Sequence, residues 1–127
     1  MCIVAARDLV AKANSEVETV SVEDAKALVG RADVQFLDVR EPAEWDKGRV
    51  PGAVHVPRGL LEFKADPSLE AYHDKAIDPE KRLVVYCGSG GRSALAAKTL
   101  KDMGYGKVAN MLGGFTAWSQ AELPTER

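Results

Sequence analysis

The sequence predicts an α/β domain built on a parallel sheet with helices on both faces. Three observations carry this. Short β-favouring runs alternate along the chain with segments of helical spacing. The junctions carry helix punctuation, such as Ser21 before one helix and Gly104 after another. The chain of 127 residues suits one domain with a real hydrophobic core and is too short for two ordinary ones. In such a sheet, ligands bind beyond the carboxyl ends of the strands.

The elements follow in order. "IVAARDLVAKA" (3–13) places Ile3, Val4, Ala6, Leu9, Val10 and Ala13 at helical spacing and reads as a leading helix that packs on the domain. "VETV" (17–20) reads as a short strand. Ser21 caps a helix over "VEDAKALVG", with Asp24 in a capping-box-like place and Gly30 as the stop. "DVQFLDV" (33–39) is a second strand. "EPAEWDKG" (41–48) is a short helix between Pro42 and Gly48, and "PGAVHVP" (51–57) holds a brief strand between prolines. "RGLLEFKA" supplies a helical turn or two. Residues 66–80 are polar and read as a long connection with a short helix around "SLEAYHDKA". "RLVVYC" (82–87) is the strongest strand signal. "RSALAAKTLKDMG" is the strongest helix, with Leu95, Ala96, Leu100 and Met103 on one side. "KVANML" is the last strand and "GFTAWSQAE" the last helix. This divides the chain into a lead segment 1–16, a domain 17–123 and a tail 124–127.

Composition excludes several classes. Hydrophobic residues make up 46% and charged residues 28%, the balance of a soluble globular protein. A net charge of −2 is not the footprint of a nucleic-acid-binding surface. No apolar run approaches the ~20 residues needed to cross a bilayer, and "MCIVAARDLV" lacks the basic start of a signal peptide. Two cysteines, Cys2 and Cys87, do not make a disulfide framework, so a reducing cytoplasm is expected.

Chemistry concentrates at "VVYCGSGGRSALAAKTL" (84–100). Cys87 lies between a strand and a helix N-terminus, where the helix dipole and free N–H groups favour a thiolate. Gly88, Gly90 and Gly91 let the loop curl so that successive N–H groups point at one centre. Arg92 adds positive charge, and Ser89 and Ser93 add hydroxyls. The simpler reading, a buried cysteine followed by a flexible turn, leaves three glycines and an arginine at a helix start unexplained. Cys2 has no supporting residues and reads as incidental.

Two enzyme classes use such an anion-holding cysteine loop. Tyrosine phosphatases have one residue more between cysteine and arginine, and usually a histidine before the cysteine. Here four residues separate Cys87 from Arg92, and Tyr86 precedes the cysteine. The shorter bowl suits a single sulfur atom better than a tetrahedral phosphate. In the other class, "FLDVREPAEWDKGRVPGAVHVP" (36–57), "VVYCGSGGRSALAAKTLKDMGY" (84–105) and "VANMLGGFTAW" (108–118) resemble, in order, three segments of the single-domain rhodaneses, which are thiosulfate sulfurtransferases. The resemblance spans roughly residues 17–123. It implies a rhodanese-like three-layer fold with a five-stranded parallel sheet. It also implies a double-displacement cycle in which Cys87 takes a sulfane sulfur as a persulfide and hands it to cyanide or a thiol such as glutathione or a protein thiol. No cofactor or metal is implied.

By that resemblance Asp38 helps organise the catalytic loop, and Arg40 pairs with an acidic neighbour such as Glu44. The structural alternative for both is a cap and a salt bridge. Arg58, after the short third strand, is expected either to attract an anionic donor together with Arg92 or to be a solvated surface residue. His55, inside an apolar strand, reads as structural, and His73 as exposed; neither makes a metal-ligand spacing with Cys87. Trp45 and Trp118 read as packing residues, and Glu62 and Phe63 as candidates for the rim of the site. A phosphatase or arsenate reductase, and a non-enzymatic persulfide carrier or docking module, are the competing classes.

Overall fold

The computed structural model describes residues 2–127. Five strands, β1 (Glu18–Val20), β2 (Val34–Asp38), β3 (Val54–His55), β4 (Arg82–Tyr86) and β5 (Val108–Met111), form one sheet in the order β1-β5-β4-β2-β3. Every pairing is parallel, with Phe36 beside Val84 and Val84 beside Ala109. Six α-helices intervene or flank: α1 (Ala6–Glu16), α2 (Val22–Lys26), α3 (Pro42–Asp46), α4 (Leu61–Lys64), α5 (Gly91–Met103) and α6 (Gly114–Gln120). A 3-10 turn at Arg58–Leu60 leads into α4.

Side chains alternate across a strand, so the central strands feed two cores. Leu83, Val85 and Cys87 join Leu37, Val39, Ala96, Ala97 and Leu100 on the face covered by α4 and α5. Val84 and Tyr86 join Phe36, Val22, Ala25 and Trp118 on the face covered by α2 and α6. This is the three-layer, five-stranded α/β fold that the sequence predicts. The chain leaves β2 toward β3 and leaves β4 toward β5, on opposite sides. Such a reversal opens a crevice at the carboxyl ends of the two adjacent strands. Cys87 directly follows β4, and Asp38 closes β2.

Four elements differ from the sequence reading. The leading helix runs over Ala6–Glu16 rather than 3–13, and Ile3, Val4 and Leu9 are exposed. It docks instead through its later turns: Ala13 is buried, and Val10 lies over Gly91 at the start of α5. Helix α2 keeps its Ser21 cap, whose Oγ accepts the Asp24 N–H at 3.1 Å. It ends at Lys26, and tighter three-residue turns carry the chain to Gly30. No helix forms across 68–76. Asp66, Asp74 and Asp78 each capture the N–H two residues on at 2.9 Å, a local turn that competes with helix. That connection also leaves His73 half-buried rather than exposed. On α5 the buried face is Ser93, Ala94, Ala96, Ala97 and Leu100, while Met103 lies outside. Small residues dominate because α5 is packed between the sheet and α1.

Residues 124–127 lie against the domain. Arg49 and Glu126 exchange both backbone hydrogen bonds, at 3.0 and 2.9 Å. Trp118 donates its Nε1–H to the Pro124 carbonyl at 2.8 Å and packs edge-on against Phe36. Trp118 has no exposed surface. Trp118→Ala is therefore expected to cost about 3–5 kcal/mol of unfolding free energy, and Trp118→Phe clearly less. Urea unfolding followed by circular dichroism measures both, and a Trp118→Ala midpoint equal to wild type would contradict this packing.

Candidate active site

Cys87 is fully buried where β4 ends and the loop to α5 begins. Its Sγ lies 3.1 Å from the Gly90 nitrogen, 3.4 Å from the Ser93 nitrogen and 3.4 Å from the Ser93 hydroxyl. Burial raises the cost of a thiolate. The Ser93 hydroxyl and the N–H groups of Ser93, Gly90 and Ser89 outweigh it, so the thiol is held below its ordinary range. One of those donors, the Ser89 N–H, is aimed by the way the loop is anchored. The Cys87 carbonyl accepts from the Phe115 N–H at 2.8 Å, and the Gly88 carbonyl from the Thr116 N–H at 2.9 Å. In a trans peptide the C=O and the following N–H point in opposite directions. With those carbonyls turned to α6, the next N–H groups turn toward the interior of the loop.

Two glycines make this possible. Gly90 has φ +106°, which reverses the chain into α5. Gly114 has φ +58°, and a Cβ there would stand 2.5 Å from the Cys87 carbonyl oxygen. Only a bare α-carbon lets α6 approach the loop this closely.

Behind the loop lies a buried amide network that the sequence reading missed. Asn110 on β5 has no exposed surface. Its Oδ1 accepts from the Ser93 hydroxyl at 2.6 Å, and its Nδ2 donates to the Gly90 carbonyl at 3.2 Å and to Asn14 Oδ1 of α1 at 2.9 Å. The lead segment is thereby joined to the loop. The Ser93 hydroxyl carries one proton for two acceptors, Asn110 and the sulfur. Turned toward sulfur the O–H serves a thiolate; turned toward Asn110 it bonds the amide oxygen. The available signal was a polar residue in the apolar strand "VANM", since a buried polar side chain is the informative exception.

The arginines are arranged differently from expectation. Arg40 does not pair with Glu44. Its Nη2 meets Asp38 Oδ2 at 2.8 Å, and both side chains are essentially buried. It also donates to the Gly48 carbonyl at 2.6 Å and lies over the Phe115 ring at 4.3 Å. Asp38 accepts in addition from the Arg40 N–H at 2.9 Å. The hydrogen bonds of Asp38 thus go to Arg40 rather than to the catalytic loop, and the pair fastens β2 to the end of α3 and to α6. Glu44 is held by Arg92 instead, at 2.8 and 3.0 Å. Arg92 and, more weakly, its other neighbours hold the Glu44 carboxyl down to about 2, and Glu44 raises Arg92 in turn. Arg58 is engaged by Glu62 at 3.0 Å and by the Thr99 hydroxyl at 3.3 Å, on the flank of α5. Ser89 is exposed at the tip of the loop. His55 has the structural place read for it, bonded to the Arg40 carbonyl at 2.8 Å and stacked on Trp45. Cys2 is an exposed free thiol.

The site is thus a buried thiol ringed by N–H donors at the carboxyl end of a parallel sheet. Residues 21–121 match the rhodanese-like domain, and the chain belongs to this family. It is 35% identical over 97 residues to a sulfurtransferase of Allochromatium vinosum, covering 76% of this chain and 82% of that protein. It is 35% identical over 111 residues to the thiosulfate:glutathione sulfurtransferase of Saccharomyces cerevisiae, covering 82% and 79%. Among solved structures it is similar to a Rhodopseudomonas palustris protein of unknown function described as a possible tyrosine phosphatase. That similarity has a TM-score of 0.93 and 41% identity, over 99% of this chain and 97% of the other. Both of these curated relatives are named as sulfurtransferases, which supports sulfur transfer in general terms.

The donor set around Sγ makes a direct prediction. Alkylation of Cys87 by iodoacetamide should have a pH midpoint below the ~8.5 of an ordinary thiol. Ser93→Ala should raise that midpoint by about one unit, since one of the donors to the thiolate is lost. Mass-resolved alkylation of the Cys87 peptide across pH measures this; an unmoved midpoint in Ser93→Ala would show that the hydroxyl does not serve the sulfur.

Proposed function

We propose that the protein is a sulfurtransferase that carries a sulfane sulfur on Cys87. The observation that supports this most is the set of donors gathered on the sulfur atom itself, from Gly90 and Ser93, within 3.4 Å. A nest closed on one sulfur suits a thiolate and the persulfide that extends it. A phosphoryl group would need its donors spread around three outer oxygens, in the wider loop of a phosphatase.

The cycle has two displacements. The Cys87 thiolate attacks the outer sulfur of a donor, thiosulfate or a persulfide, and an S–S bond forms on Cys87. The donor's own S–S bond breaks, and its electron pair leaves with sulfite or a thiolate. An acceptor nucleophile, cyanide, glutathione or a protein thiol, then attacks the terminal sulfur. The Cys87 thiolate leaves and returns to the nest. The negative charge stays near one place throughout, so preorganised N–H groups can stabilise each state without rearranging. Gly88, Ser89, Gly90, Gly91, Arg92 and Ser93 form the loop in this reading. Asp38 and Arg40 make no hydrogen bond to that loop and join β2 to its neighbours, and Arg58 is engaged by Glu62 and Thr99. Resemblance to the yeast thiosulfate:glutathione enzyme supports a small-molecule thiol as acceptor.

Incubation with thiosulfate followed by intact-mass measurement is expected to show a gain of one sulfur atom. Dithiothreitol should reverse the gain, and Cys87→Ala should abolish it. A gain retained in Cys87→Ala would place the sulfur elsewhere. Phosphate release from an aryl phosphate, lost in Cys87→Ser, would instead support the phosphatase reading.

A further inference from the structure

Arg58 and Arg92, the arginines expected to attract an anionic donor, are each paired with a carboxylate, as is Arg40. Arg40 pairs with Asp38 below the loop, and Arg58 with Glu62 at its flank. Arg92 stands in the first turn of α5, and Glu44 meets it with both carboxylate oxygens, at 2.8 and 3.0 Å. This pair stands at the entrance. The side chains of Arg92 and Glu44 are 40% and 37% exposed, in contact with solvent above a fully buried sulfur. A Cβ on Gly88, the residue after Cys87, would lie 3.0 Å from Arg92 Nη2 and 3.6 Å from Glu44 Oε2.

Glu44 is also held from its own side. The first turn of α3 is closed by a capping box, in which Glu44 Oε1 accepts the Glu41 N–H at 3.0 Å. The carboxylate therefore belongs to a fixed structure and is not a free chain that happens to rest on an arginine. With the guanidinium charge cancelled, the entrance attracts anions only through the dipoles of the loop. Each further negative charge on an incoming donor also meets Glu44.

We infer that Glu44 is a specificity-determining residue: by cancelling the charge of Arg92 at the mouth of the loop, it favours sulfane-sulfur donors with one negative charge or none over dianions. This rests on the sulfurtransferase reading above and concerns which donors that site takes. Glu44 acts through Arg92 and touches no reacting atom.

Two donors isolate the charge. Thiosulfate is a dianion that releases sulfite; methanethiosulfonate is a monoanion that releases methanesulfinate. In both, the Cys87 thiolate attacks the outer sulfur, and the bond to the oxygen-bearing sulfur breaks. The measurement is kcat/KM for each donor, with one acceptor, in wild type, Glu44→Gln and Arg92→Gln. Glutamine keeps an oxygen for the Glu41 N–H and removes the charge. Glu44→Gln should raise the thiosulfate-to-methanethiosulfonate ratio about fivefold to tenfold and steepen the salt dependence of thiosulfate alone. Any change in Cys87 ionisation acts on both donors and cancels in the ratio. Arg92→Gln, which leaves Glu44 unopposed, should lower the ratio, and it decides the matter if Glu44→Gln does not fold. Ratios equal to wild type within twofold in the folded variants, with Cys87 still loaded, would overturn the role of Glu44. Loading of wild-type Cys87 by thiosulfate alone would also overturn it, whereas failure of both donors to load wild-type Cys87 would overturn the sulfurtransferase reading.

Discussion

The site depends on two hydrogen bonds that do not touch the sulfur. The Phe115 and Thr116 N–H groups of α6 take the carbonyls of Cys87 and Gly88 at 2.8 and 2.9 Å. This fixes the peptide planes at the start of the loop, and planar peptides then aim the Gly88 and Ser89 N–H groups inward. The constraint reaches far along the chain. It requires Gly114, because a side chain there would meet the Cys87 carbonyl oxygen at 2.5 Å. It requires α6 to be anchored, which Trp118 does from the opposite core. The second half of the loop has its own anchor, since Asn110 takes the Gly90 carbonyl and the Ser93 hydroxyl. The sulfur is thus fixed from both faces of the sheet.

Charge has a smaller part in that arrangement than the arginine count implies. Arg40, Arg58 and Arg92 are each matched by a carboxylate, and Arg92, the one that also senses Cys87, is held chiefly by Glu44. What remains is a field of oriented N–H dipoles in a buried place. Such dipoles act strongly at short range and are little screened by salt. The two charged pairs nearest the loop have different tasks: Asp38–Arg40 is buried and joins elements, and Glu44–Arg92 stands at the entrance.

Much of this was legible in the sequence. Alternation of strands and helices gave the sheet, and Cys87 followed by Gly88, Gly90 and Gly91 gave the nest, because both are local patterns. The partners of Arg40 and Arg92 were not legible. Asp38, Arg40 and Glu44 lie within seven residues of one another, yet Arg92 comes from another strand–helix unit. Which guanidinium takes which carboxylate depends on the packing of α3 against the loop. Asn110 was hidden for a similar reason. Its partners Asn14, Gly90 and Ser93 come from α1 and from the loop into α5, and only the order β1-β5-β4 brings them together. The turns at 66–80 were misread because helical spacing ignores aspartates that bond their own backbone.

The central claim is that the backbone and Ser93, rather than the charge of Arg92, hold the Cys87 thiolate. Its most direct test is the thiolate absorbance titration of the double variant Glu44→Gln/Arg92→Gln, with Cys87→Ala as the blank. Removing both members of the pair leaves the N–H nest intact and the local charge balance unchanged. The midpoint should stay within about half a unit of wild type. A midpoint that rises to that of an ordinary thiol would contradict the account.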